Sequence, residues 1–144
     1  MKEIKFSVKI SAPKAIVWKT LWNDTTFRDW ASIIDEGTYM RGALKEGHEV
    51  QFISSLNGYG VTSLVEKLVP EEFVRFCHSA DTMESGKSTR EKEWTGGRES
   101  YFISEIDGIT TLLMNTEVPL EQEKLFNIRL PKALERIKYL AENY

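Results

Sequence analysis

Much is missing from this sequence. A single cysteine, Cys77, among 144 residues excludes an internal disulfide. There are two histidines, His48 and His78, and no His-x-x-x-His or Cys-x-x-Cys spacing. No metal site and no cofactor is therefore expected. Positive charge is not in excess: 19 Lys and Arg stand against 22 Asp and Glu, a net charge of -3. Without a basic stripe to meet phosphates, nucleic acid is excluded as a partner. No apolar run approaches the roughly 20 residues of a membrane span. The opening MKEIKFSVKI is too charged for a signal peptide. No phosphate-cradling glycine motif occurs, Gly96-Gly97 being an isolated pair, and no serine sits in a nucleophile elbow. The sequon Asn23-Asp24-Thr25 has no meaning without secretion. The expectation from these absences is a cytoplasmic protein.

What is present is periodicity. Hydrophobic residues make up 41% and charged ones 28%, enough for one packed domain over 1–144. Near the C-terminus Phe126, Leu130, Ala133, Ile137, Leu140 and Tyr144 recur at spacings of four and three, with Leu134 and Ala141 beside them. That pattern predicts an amphipathic helix over 120–144, pressed on a sheet. Lys2–Ile10 alternates as a half-buried strand, with Ile4, Phe6, Val8 and Ile10 on one face. Ser11-Ala12-Pro13 starts a short helix burying Ile16, Val17, Thr20 and Leu21, flanked by Trp18 and Trp22. Asp24 is expected to cap a second short helix running to about Ala31, with Phe27 and Trp30 inward.

After Gly37 the period returns to two. Strands are expected over 38–41, 48–54, 59–69, 73–78, 99–106 and 109–118. Asn57-Gly58 and Asp107-Gly108 read as hairpin turns in which both positions favour positive φ. Residues 80–98 fit no element. That polar interval is either a mobile surface loop or frayed hairpin, or a lid over a cavity mouth with Trp94 as its apolar contact. Pro131 lacks an N–H and opposes a helix interior at roughly 3 kcal/mol. The helix is either continuous through it, with a kink, or starts there.

This order of elements resembles the START-like superfamily, also called SRPBCC. Within it the chain resembles the activator of heat-shock-protein-90 ATPase homologue family. The likeness rests on Ile10-Ser11-Ala12-Pro13 with Val17-Trp18, on Glu36-Gly37-Thr38, and on Gly47-His48-Glu49-Val50-Gln51-Phe52. Glu93-Trp94-Thr95-Gly96, Asp107-Gly108 and Ala133-Leu134-Glu135-Arg136-Ile137 extend it over nearly the whole chain. The resemblance implies an α+β helix-grip fold: a curved antiparallel sheet around a long C-terminal helix, with two short helices after the first strand. It also implies an apolar cavity between sheet and helix that takes a lipid, polyketide-like or other hydrophobic molecule. Pro131 departs from the pattern and puts the cavity shape at that end in question.

Cavity candidates are Trp30, Tyr39, Phe52, Phe76, His78, Trp94, Tyr101, Met114, Phe126 and Leu130. His78 shares a strand face with Val74 and Phe76. It is either a hydrogen-bonded core histidine or a polar contact for a ligand. Glu99 and Tyr101 lie two apart on one strand face. The carboxylate is either a solvated strand residue or, if buried, a general base. Cys77 and His78, adjacent on a strand, point to opposite faces and cannot pair as nucleophile and base. No catalytic residue is assigned. Binding of a small apolar molecule is the first reading. A cyclase or dehydratase acting on such a molecule, and a chaperone-interacting module, are the alternatives. The chain is expected as a monomer or homodimer.

Overall fold

The computed structural model describes residues 1–86 and 90–144. Strand β1 (Lys2–Ile10) leads through Ser11-Ala12-Pro13 into α1 (Lys14–Trp22) and α2 (Asp24–Ile34). Then follow β2 (Thr38–Arg41), β3 (Glu49–Ser54), β4 (Tyr59–Val69), β5 (Phe73–Met83), β6 (Arg98–Ile106) and β7 (Ile109–Val118). A short 3-10 turn, Leu120–Gln122, opens into α3 (Glu123–Glu142). The seven strands form one antiparallel sheet in the order β1-β7-β6-β5-β4-β3-β2. Its inner face and the stripe of α3 share one core, with α1 and α2 closing it. This is the helix-grip arrangement. Among the described residues no helix is long and apolar enough to cross a membrane.

The apolar stripe of α3 behaves as its spacing requires: Leu130, Ala133, Leu134, Ile137 and Ala141 are buried. Tyr144 is not part of it; it is exposed beyond the helix end, where its hydroxyl accepts a bond from Asn23. Helix α3 runs unbroken through Pro131. The missing N–H there leaves one hydrogen bond of the backbone ladder unmade. Arg136 donates two bonds to the Asp29 carboxylate, at 2.7 and 2.9 Å, and so clamps α3 to α2.

Several local expectations need correction. Trp22 does not flank the core. It lies at its centre, with the rings of Phe27, Phe76 and Tyr101 within 6.2, 5.6 and 5.0 Å. Asp24 is not a cap but the first residue of α2, where its carboxylate meets Arg28 at 2.9 Å. Helix α2 continues to Ile34, because Ile33 and Ile34 still face the core. His48 stands before β3, exposed, in a turn closed by its own N–H on the Lys45 carbonyl. In the β6–β7 turn both Asp107 and Gly108 have positive φ, 51° and 80°. At Asn57-Gly58 only Gly58 does, at 75°. That connection is a four-residue loop, residues 55–58, closed by Gly58 N–H on the Ser54 carbonyl.

The polar interval 80–98 divides. Residues 80–83 are the end of β5 and Arg98 begins β6. Lys87, Ser88 and Thr89 lie outside the described residues. Residues 90–97 form a strap fastened to Asp81, whose carboxylate accepts from Trp94 N–H, Thr95 N–H and the Thr95 hydroxyl at 2.7 to 3.2 Å. A bulge makes this possible. Ser63 pairs with His78 and Thr62 with Ala80, so Ser79 is one residue extra on β5. The extra residue flips the alternation. Val74, Phe76 and His78 face inward before it, and Asp81 faces inward after it.

Candidate functional site

Between α2, the first turns of α3, the strap and the inner sheet lies a pocket of about 330 Å³. Each wall follows from a periodicity. Helix spacing brings Phe27, Trp30, Ala31 and Ile34 to one side. Strand alternation brings Phe52 and Ser54 from β3, His78 from β5, and Glu99 and Tyr101 from β6. The strap adds Arg90, Glu93 and Trp94; the start of α3 adds Gln122, Leu125, Phe126 and Arg129. Gly60, also in the wall, has no room for a side chain, since a Cβ there would fall 2.1 Å from the Phe52 carbonyl oxygen. Three rings run across one wall. His78 meets Trp94 edge-on at 6.2 Å between centroids, and Trp94 meets Phe126 at 5.1 Å. Strand, strap and helix are thereby joined.

Of the ten sequence candidates, Trp30, Phe52, His78, Trp94, Tyr101 and Phe126 border this pocket. Phe76, Met114 and Leu130 do not; they are fully buried core residues. Tyr39 also stands apart, its hydroxyl donating to Glu84 at 2.8 Å and its ring lying under Arg28. Alternation places Tyr39 opposite to Thr38, which does line the pocket. Arg90, Asp35 and Arg129 are wall residues that sequence reasoning missed. Asp35 caps the end of α2, where periodicity carries no orientation, whereas Arg129 stands in the second turn of α3, outside its apolar stripe, and reaches back to the Ile34 carbonyl.

The polar groups of the wall are unequal. Arg90 spends one guanidinium nitrogen on the carbonyls of Gly60 and Thr82, at 2.7 and 3.0 Å. Arg129 donates to the Ile34 carbonyl at 2.8 Å. Burial raises the Asp35 carboxyl, partly offset by Asn57 and Arg129. Burial also raises Asp81, but the Thr95 hydroxyl and the strap N–H groups outweigh it and hold Asp81 below the usual carboxylate range.

His78, Glu99 and Tyr101 are different in kind. Burial drops His78 to about 4, against a small opposing pull from Asp81, so its imidazole is neutral near pH 7. Its Nδ1 lies 2.7 Å from the Ser63 hydroxyl. Burial lifts Glu99 to about 7, even though the Tyr101 hydroxyl bonds its carboxylate. Burial and the neighbouring Glu99 charge together hold the Tyr101 phenol well above its ordinary value. Glu99 is opposite Phe76 in the β5–β6 register, and His78 is two residues further along β5. Histidine and glutamate are thus diagonal neighbours on the inner face. Among the described residues, no three His, Cys, Asp or Glu side chains group as a metal site.

No family model and no curated protein sequence matches this chain. Solved structures do match it in shape. The Aha1 dimer from Colwellia psychrerythraea superposes with a TM-score of 0.74 at 19% identity, over 99% of this chain and 97% of that one. DynU16, a protein of the dynemicin biosynthetic locus, gives 0.72 at 12% identity, over 99% of this chain and 48% of that one. CalU16 from Micromonospora echinospora gives 0.64 at 16% identity, over 96% of this chain and 75% of that one. At such identities the likeness is one of fold, the helix-grip fold.

Proposed function

We propose that this chain binds a small, largely apolar, ring-bearing molecule in the pocket between α2, α3 and the inner sheet. The carrying observation is the pocket itself. It holds about 330 Å³, and Phe27, Trp30, Phe52, Trp94 and Phe126 contribute ring surface to its wall. That volume falls within the roughly 300 to 1,000 Å³ usual for small-molecule sites. Aromatic walls suit a flat guest, because rings stack offset or edge-on with little loss of side-chain freedom. The few polar groups among them would fix its orientation. The helix-grip fold adds weight, since the resemblance implies a guest between sheet and helix.

N-phenyl-1-naphthylamine, an apolar fluorescent ring compound, tests this. Its emission is expected to rise saturably and one-to-one with the protein, with a Kd of about 1 to 100 μM. Val61 lines the pocket from β4. A Val61→Trp variant, which fills the space, is expected to retain its circular dichroism and lose the probe. A probe that never saturates, or that binds the Val61→Trp variant equally well, overturns the reading.

A further inference from the structure

We propose that the pocket is also a proton-transfer site acting on an apolar ketone: the Glu99 carboxylate removes a proton from the carbon next to the carbonyl, and His78 holds the oxygen. The inference rests on the binding reading and goes beyond it.

Placement carries the argument. Strand alternation and the β5–β6 register bring Glu99, Tyr101 and His78 to one inner face, and all three border the same pocket. The other charged wall residues are already engaged, Glu93 by the Gln122 amide at 2.9 Å. Arg90 and Arg129 are tied to backbone carbonyls, and Asp35 accepts from Asn57. Among the described residues, the Tyr101 phenol is the one partner of the Glu99 carboxylate. The Ser63 hydroxyl lies 2.7 Å from His78 Nδ1. In the tautomer in which that hydroxyl donates, the ring proton sits on Nε2 and the neutral imidazole keeps one N–H donor for the ketone oxygen, and this is the tautomer the proton-transfer step uses. A carboxylate base beside a neutral N–H donor suits a reaction whose charge develops on an oxygen.

The step balances without any outside reagent. Glu99 takes the proton from the α-carbon and becomes a carboxylic acid. The C–H electron pair becomes the C=C bond of an enolate, and the carbonyl π pair moves onto oxygen. The His78 Nε2–H donates to that oxygen. Glu99 then returns a proton to carbon. In deuterium oxide the acid exchanges with solvent before it returns its proton, so deuterium enters the ketone. Burial supports the assignment: it leaves Glu99 near 7 and His78 uncharged, so base and donor coexist near neutral pH. Tyr101 is a positioning residue, its phenol held protonated against the carboxylate.

The experiment uses 1-tetralone, an aromatic ketone, in deuterium oxide near neutral pD, and follows loss of the α-proton signal by NMR. Quenching of tryptophan emission reports binding in the same samples. The protein is expected to speed exchange over buffer by a factor of about 100 or more, the usual scale of positioned acid–base catalysis. Glu99→Gln is expected to abolish the acceleration while binding changes less than about threefold. Tetralone that binds without faster exchange overturns the proton-transfer site and leaves the binding reading standing. An unchanged rate in Glu99→Gln overturns it equally. Tetralone that does not bind overturns the ketone site, and overturns the binding reading with it only where N-phenyl-1-naphthylamine also fails to saturate.

Discussion

Glu99 and His78 hold opposite burial penalties in one pocket. The Glu99 carboxyl goes from 4.5 to about 7 on folding. Its contribution to stability is complete below 4.5 and is lost as pH rises through 7. The His78 imidazole goes from 6.5 to about 4. Its contribution is complete above 6.5 and is lost as pH falls through 4. Between these limits the folded state gains a proton on Glu99 while the unfolded state gains one on histidine, so the two slopes oppose each other. Single variants separate them. Relative to wild type, Glu99→Gln is expected to stabilise the protein increasingly from acid to about pH 8, reaching about 1 to 3 kcal/mol at about 1.4 kcal/mol per pH unit. Relative to wild type, His78→Gln is expected to gain as pH falls through the His78 window. Urea midpoints measured across pH check both. Differences that do not vary with pH would mean that neither group is buried in the way described.

Among the elements, the strap 90–97 and helix α3 carry the most specific expectations. Asp81 gathers the Trp94 and Thr95 donors. Asp81→Ala would leave those groups without their acceptor, at a cost of about 2 to 4 kcal/mol. Trp94 emission is then expected to shift to longer wavelength as the indole leaves Phe126. Emission unchanged from wild type would show that the ring contacts alone hold the strap. In α3, Pro131→Ala restores the missing N–H inside an otherwise unbroken helix. It is expected to raise stability by about 1 to 3 kcal/mol in thermal melts; a lowered melting temperature would show that the proline ring is part of the packing. The sequence shows why these two regions differ in legibility. The helix is written in a period of 3.6 strong enough to read through a proline. The end of β5 reads Ala80-Asp81-Thr82-Met83, with polar residues at its middle positions, and nothing local marks the bulge at Ser79 that turns Asp81 inward. That strand end pairs with residues 59–62 of β4 and is tied through Asp81 to Trp94 and Thr95, long-range bonds that periodicity cannot register.

At the scale of the molecule, strand alternation and helix spacing fix which faces meet, so the helix-grip architecture is legible in sequence. The pocket is less so. Phe76 and Met114 share the inner face of the sheet with Phe52 and Tyr101, yet they and Leu130 of α3 fill the core, while Phe52 and Tyr101 border the space beside it. Which inward residue meets a void depends on where α2 and α3 diverge from the sheet, and no local pattern encodes that distance. The four tryptophans give a direct reading of the pocket. Trp30 and Trp94 line it, and Trp18 and Trp22 do not. The deciding measurement is a titration of the labelled protein with N-phenyl-1-naphthylamine, followed by NMR at the indole N–H signals. A guest between helix and sheet shifts Trp94 and Trp30 along one saturating curve and leaves Trp18 in place. Silence at Trp94 and Trp30, or a shift confined to Trp18, would contradict it.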